Sequence, residues 1–454
     1  MRNTTKRAYV LVALIAAFFF GLGILIYSFF AHGSTWASSR LNTHVFKNRQ
    51  LSTAGAVLDR DGTVLVSTDD EIRKWTSDWT LRRSVLHVVG DEQGFISTGV
   101  QTLYRPELIG YNPVRGLYRA GSGNTDITLT IDADVNKAAY EALGGGKGTI
   151  AAYNYKTGEM LCRVSAPTYD PQNKPSDINT NTSDKYGGVY LDRFLSGTFT
   201  PGSTFKVVTA ICAIENIPDL FQRKFTCNGR HKIGNDSVKC NGVHGTINFE
   251  RALNVSCNSA FAELAVELGS EKLTETVRAL GFGKSVKVSR AATVRSSFDV
   301  KNAAKVDLGW AGIGQYTTLV NPCQMLMLAG AIANDGQAVT PYVVKDSASL
   351  FENTLLTNHN IHLSAETAAT IKRLLRSNVE NYYGDGKFPN LQFCGKTGSA
   401  EVIGKRSHAW FFGFSLRENF PVAIVVCLEN GGLGYNNAIP AANKVLQAIL
   451  KAGV

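Results

Sequence analysis

The chain has 454 residues and a formal net charge of +10, and 44% of its residues are hydrophobic. That length exceeds one ordinary domain and supplies ample core for two folded units. The basic residues are scattered, with no run or aromatic-interleaved stripe, and no Walker sequence occurs, so nucleic-acid binding and nucleotide chemistry are not supported.

Ala8 to Ala31, AYVLVALIAAFFFGLGILIYSFFA, holds no charged residue. As a helix it would reach about 36 Å, enough to cross a hydrocarbon layer of about 30 Å. It is expected to be an uncleaved membrane anchor, since the apolar region of a signal peptide runs to about 7–15 residues. Arg2, Lys6 and Arg7 precede the span, which predicts a cytoplasmic N-terminus and an extracytoplasmic chain after residue 32.

Residues 33–54 are polar and weakly patterned, as in a linker. AGAVLDRDGTVLVST then reads as strand, Asp61-Gly62 turn, strand, because Gly tolerates positive φ. From 55 to 125 the chain is short strands, glycines and polar turns without a grouping of nucleophile and base, and is expected to be a pedestal, a dimerisation-like or partner-contact domain. DADVNKAAYEAL has helical spacing with Asp132 as N-cap, and GTIAAYNYKTGEMLCRVSAP follows as strand, turn, strand. Helical stretches at 203–215, 258–268, 322–334 and 364–379 precede the strands LQFCGKTGSAEV, SHAWFFGFS and PVAIVVCLEN and a closing helix, AANKVLQAILKAG. Strands at both ends of a helical middle predict an α+β domain over 126–454.

Ser203 follows Pro201-Gly202 and opens an apolar helix, a position where serine commonly caps. Lys206 lies at i+3 on the same face, and no other Ser-x-x-Lys occurs in the chain. A serine hydroxyl becomes a nucleophile when a neighbouring base takes its proton, and lysine serves if burial, a second ammonium or a helix N-terminus lowers its pKa. Lys396 of Lys396-Thr397-Gly398 supplies a second lysine, with Gly398 letting a substrate backbone lie alongside the strand. The same tripeptide at Lys156-Thr157-Gly158 stands at hairpin spacing and reads as a turn. Ser256-Cys257-Asn258 precedes another helix; it is either one more cap or a relay, with Ser256 moving a proton and Asn258 offering donor and acceptor together. A further Ser-x-Asn at Ser122 lies in a glycine-rich stretch and is set aside. His408 opens a strand and is expected to be structural.

Ser203-x-x-Lys206, Ser256-x-Asn258 and Lys396-Thr397-Gly398, in that order, resemble the three motifs of the penicilloyl-serine transferases. AGAVLDRDGTVLVS, YKTGEML, SAPTYDPQ, FLSGTFTPGSTFKVVTA, GIGQYTTLVNPCQMLMLAGAIANDG and HAWFFGFS are similar to the membrane-anchored class B penicillin-binding proteins, and the short pedestal to their small standalone members. The resemblance implies an antiparallel sheet covered by helices, with a helical lobe and a small β-rich pedestal. It further implies peptidoglycan D,D-transpeptidation through an acyl-enzyme on Ser203. Lys206 would be the base, the amides of Ser203 and Ser399 the oxyanion donors, Lys396 and Thr397 the hold on the substrate carboxylate, and Asn258 that on its amide. β-Lactams would acylate Ser203, no metal or organic cofactor is required, and a polytopic glycan polymerase is the expected partner.

Two rivals are a serine β-lactamase, whose Glu-x-x-x-Asn pattern is missing downstream of Ser256-x-Asn258, and a non-catalytic penicillin sensor or scaffold. All eight cysteines lie outside the anchor. Cys227 and Cys240 are compatible with a disulfide, with free thiols, or with zinc through the Cys-x-x-x-His pairs that end at His231 and His244. Cys257 and Cys394 are expected to be small buried side chains.

Overall fold

The computed structural model describes residues 2–47, 50–117, 125–345 and 361–453; the Ser122-x-Asn124 copy lies outside them. Helix α1 (Arg2–Ala37) is the one helix among the described residues long and apolar enough to cross a membrane; its apolar span is exposed, and only its C-terminal end, at Gly33, meets the folded domain beside Tyr111. The stretch after it is no loose spacer, because Val45, Phe46 and Leu51 are buried against the pedestal core.

The pedestal holds a four-stranded sheet, β1 (Val57–Leu58), β2 (Val64–Asp69), β3 (Ile72–Trp75) and β4 (Ile127–Thr128), in the order β3-β2-β1-β4. Between β3 and β4 the chain adds four short helices within 79–108, where strands and turns were expected. The first is set by Asp78, whose carboxylate accepts the amides of Thr80 and Leu81, a cap that stabilises a helix start by roughly 0.5–2 kcal/mol. Arg82, on that helix, grips Asp170 through Nε and Nη2 at 2.6 Å each, tying the N-terminal β-rich region to the C-terminal domain.

The C-terminal domain opens with α2 (Ala133–Ala142), capped by Asp132 as expected. Then come β5 (Gly148–Asn154) and β6 (Met160–Ala166), joined through the Lys156-Thr157-Gly158 turn, where Gly158 takes φ = +87°. A 3-10 turn (Gly202–Thr204) leads into α3 (Lys206–Asn216); four short strands follow, β7 (Lys224–Cys227), β8 (Arg230–Ile233), β9 (Asp236–Lys239) and β10 (Gly245–Asn248). Helix α4 (Asn258–Ala279) bends at Gly269, and α5 (Pro322–Ala333) and α6 (Ala365–Asn378) complete the helical lobe. Strands β11 (Phe393–Val402), β12 (Lys405–Ser415) and β13 (Val422–Leu428) and helix α7 (Ile439–Ala452) close the chain.

One antiparallel sheet, β11-β12-β13-β5-β6, carries the domain. Alternation along the strands divides two cores. Phe412 and Val425 face the helical lobe, whereas Phe411, Ile424 and Val426 face α2 and α7. Both faces are covered, so the strands are apolar throughout and a ligand must come to an edge; of the two edge strands, β11 and β6, β11 carries Lys396-Thr397-Gly398.

Candidate active site

Ser203 stands on the 3-10 turn, and the α-helix begins only at Lys206. Three residues make one turn of a 3-10 helix, so both side chains still share a face. The hydroxyl of Ser203 caps nothing: the residue before α3 is Phe205, and it makes no side-chain capping bond. Ser203 is half-buried and has no hydrogen-bond partner among the described residues, which suits a nucleophile whose contacts tighten when substrate binds. Glycine-to-backbone contacts place the turn. A Cβ on Gly398 would meet the Pro201 carbonyl at 2.5 Å, and one on Gly314 (φ = +78°) the Gly202 carbonyl at 2.2 Å. Gly398 therefore makes room for the nucleophile turn.

Lys206 and Lys396 are both 0% exposed. Lys206 Nζ donates to the Ser256 carbonyl at 2.6 Å and to Asn258 Oδ1 at 2.6 Å, and lies 3.1 Å from Ser256 Oγ. Lys396 Nζ lies 3.0 Å from the same Oγ and donates to the Thr397 carbonyl at 3.1 Å. Ser256 thus bridges the two amines, and it is not a helix cap: Cys257 precedes α4. Desolvation lowers Lys396 to about 7. Desolvation, then the charge of Lys396, holds Lys206 well below an ordinary lysine. A buried lysine kept neutral is a base at neutral pH.

Asn258 spends both ends of its carboxamide inside the protein, Oδ1 on Lys206 and Nδ2 on the Lys239 carbonyl at 2.9 Å. On β11, residues 396 and 398 point to the nucleophile turn, and Thr397 and Ser399 point the other way. Thr397 is held by Tyr383, whose hydroxyl accepts the Thr397 amide at 2.9 Å and lies 2.8 Å from its Oγ1. Ser399 Oγ accepts the Gly434 amide at 3.0 Å. Because the Thr397 amide turns away from β12, the Ser399 amide two residues on faces the same free side. Beside it opens a pocket of about 350 Å³ lined by Trp310, Gln315, Tyr316, Glu401, Val402 and Ile403. Tyr383 and Lys239 escape the sequence reading, because neither belongs to a local pattern and both reach the site through tertiary contacts. His408 accepts the Asn430 amide at 3.0 Å through Nδ1 and takes no part.

A half-buried serine beside two desolvated lysines joined by a second serine, at the edge of an antiparallel sheet, defines a serine acyltransferase of the Ser-Lys kind. Residues 148–451 match the penicillin binding protein transpeptidase domain, and the chain belongs to that family. It is 29% identical over 364 residues to peptidoglycan D,D-transpeptidase PbpA of Mycolicibacterium smegmatis, spanning 73% of each chain. The crystal structure of the D,D-transpeptidase domain of a peptidoglycan glycosyltransferase from Eggerthella lenta superposes with a TM-score of 0.73 at 26% identity, over 88% of this chain and 99% of that one. Penicillin-binding protein A of Mycobacterium tuberculosis, solved as a ceftriaxone acyl-enzyme, has the same fold at a TM-score of 0.73 and 23% identity, over 87% of this chain and 98% of that one.

Proposed function

We propose that the chain is a class B penicillin-binding protein, a peptidoglycan D,D-transpeptidase acting through an acyl-enzyme on Ser203. The observation that carries this reading is the Ser256 hydroxyl held between two buried lysines at 3.1 and 3.0 Å beside the Ser203 turn. Neutral Lys206 takes the Ser203 proton as Oγ attacks the carbonyl carbon of the penultimate D-Ala of a stem peptide. The oxyanion faces the amides of Ser203 and Ser399, donors worth about 2.7–4 kcal/mol each in comparable sites. The C–N bond then breaks, and the terminal D-Ala amine takes the proton through Ser256, which can pass it from either lysine. An amine on a neighbouring stem then attacks the acyl carbon; Lys206 takes its proton and passes it to Ser203 Oγ as the ester C–O bond breaks, which restores the free serine and the neutral lysine. Thr397 and Lys396 hold the substrate carboxylate, and Asn258 orients Lys206 while its second N–H and second Oδ1 lone pair are left for the substrate amide. Gly398 keeps strand and nucleophile in contact.

The same reading assigns residues 1–32 as cytoplasmic tip and anchor, 33–54 as a linker whose Val45, Phe46 and Leu51 join the pedestal core, 55–125 as pedestal, and 126–454 as the transpeptidase, which lends β4 to the pedestal sheet. The N-terminus is cytoplasmic and the catalytic domain extracytoplasmic, on the balance of Arg2, Lys6 and Arg7 against an uncharged span. A polytopic glycan polymerase is the partner, contacting the anchor and pedestal.

Turnover on paired stem peptides tests the assignment. A transpeptidase gives cross-linked dimer and free D-Ala, both abolished in Ser203→Ala. Hydrolysis of penicillin with rapid recovery marks a β-lactamase, and acylation without any peptide turnover a sensor; either result overturns the proposal.

A further inference from the structure

Three buried thiols and one imidazole converge just behind Ser256. Cys227, Cys240 and Cys257 are 0%, 5% and 0% exposed, and with His244 their ligand atoms all lie within 4.8 Å of one another. His244 Nδ1 is 3.4 Å from Cys227 Sγ and 3.5 Å from Cys240 Sγ; Cys240 Sγ is 3.9 Å from Cys257 Sγ. Tetrahedral zinc, with Zn–S of about 2.3 Å and Zn–N of about 2.0–2.1 Å, requires S···S separations of about 3.8 Å and S···N of about 3.6 Å. These three separations match edges of such a tetrahedron, and the remaining pairs lie within 4.8 Å, close enough for small side-chain rotations to seat an ion. All eight cysteines are free, so no disulfide between Cys227 and Cys240 competes. His231, the other histidine weighed with them, lies apart, 3.8 Å from Glu263.

We propose that Cys227, Cys240, His244 and Cys257 bind one zinc ion. The elements that carry them are already fixed by backbone bonds. Cys227 ends β7 and pairs with Gly245 of β10, the residue after His244, whose amide donates to the Cys227 carbonyl. Cys240 follows β9 and is held by a bond from its own amide to the Gly229 carbonyl. Cys257 precedes α4, and the Asn258 amide donates to Cys240 Sγ at 3.2 Å, a bond suited to a metal-bound thiolate. Binding converts three S–H groups to Zn–S bonds and releases three protons to solvent, while neutral His244 coordinates through Nδ1; no electron is transferred. Four protein ligands close the coordination sphere, so the ion is structural and adds no step to acyl transfer. It would nonetheless steady the active site, because Cys257 is the middle residue of Ser256-Cys257-Asn258, and fixing it clamps the relay serine and the asparagine on either side.

The experiment uses the full chain in detergent, loaded with ZnCl₂ and then dialysed. About one zinc per chain by elemental analysis is expected, and cobalt(II) substitution should give the ligand-field bands of a tetrahedral site with sulfur-to-metal charge transfer. Both signals should vanish in Cys227→Ser/Cys240→Ser and persist in Cys162→Ala, a buried cysteine of β6. Stripping the metal, or Cys257→Ser, should slow penicillin acylation about 10–100-fold, the usual cost of losing a supporting shell. Wild-type protein that stays free of zinc and cobalt, a Cys227–Cys240 disulfide in non-reducing peptide mapping, or full metal content in the double variant overturns the proposal. If the double variant does not fold, the wild-type cobalt spectrum decides. Metal content stands apart from the transpeptidase reading, so an acylating enzyme without zinc refutes only this inference.

Discussion

Ser256 has φ = +55°, a conformation that costs a non-glycine residue about 1–3 kcal/mol. Its carbonyl accepts Lys206 while its hydroxyl sits between both lysines, so the strain is held by the groups it serves. Ser256→Gly should therefore separate stability from chemistry: melting temperature unchanged or raised, penicillin acylation lower by about 10²–10⁴. A stopped-flow acylation trace and a thermal melt on the same sample check both. The lysines set a pH profile whose sign follows from burial. Lys206 is depressed well below its ordinary value and Lys396 lies at about 7, so the base is neutral above its folded pKa and protonated below it. Acylation should be flat at alkaline pH, where both lysines are neutral, and fall towards acid pH as Lys396, at about 7, and the depressed Lys206 take up protons. A rate that climbs tenfold per unit between pH 8 and 10 would mean an unshifted lysine. These residues are legible in the sequence because proton transfer demands particular side chains at short spacings. Cys257 reads there as a mere small side chain, since a single letter between two motif residues gives no sign that two strand ends and a histidine converge on it.

Strand β11 and the 3-10 turn act as a unit because Gly398 leaves no side chain between them. Gly398→Ala would drive a methyl group into the Pro201 carbonyl, 2.5 Å from its Cβ position. The turn must shift, at a cost of about 1–3 kcal/mol, and acylation by a fluorescent penicillin should fall at least tenfold while Ser203 remains present. Tyr383→Phe removes the hydroxyl that pins Thr397, and on the proposal that Thr397 holds the substrate carboxylate, KM for a stem peptide should rise more than kcat falls. At this level the linear chain reveals strands β5, β6 and β11–β13, whose apolar runs end in clear turns. It reveals less at Ser203, where a 3-10 turn and an α-helix give the same i, i+3 face, and in 79–108, where short helices carry too little periodicity to outweigh nearby glycines.

The pedestal and the catalytic domain share one continuous apolar core, reinforced by the Arg82–Asp170 pair. Its side chains are 12% and 13% exposed, so Arg82→Ala leaves a carboxylate largely shielded from water and should destabilise the chain by about 1.5–3 kcal/mol. Differential scanning calorimetry of the full chain in detergent should show that loss as a lower melting temperature with Ser203 still acylated; two separate transitions in the wild type would mean the domains unfold independently. The α+β plan, the anchor and the order of the three motifs are visible in the linear chain, whereas this docking is not, because Arg82 and Asp170 are distant in sequence and ordinary in composition.

The central claim is that Ser203 is the acylated nucleophile, and penicillin G followed by peptide mass spectrometry tests it most directly. A single penicilloyl adduct on Ser203, absent from Ser203→Ala, is the result expected; an adduct on any other residue, or none on correctly folded wild-type protein, would contradict it.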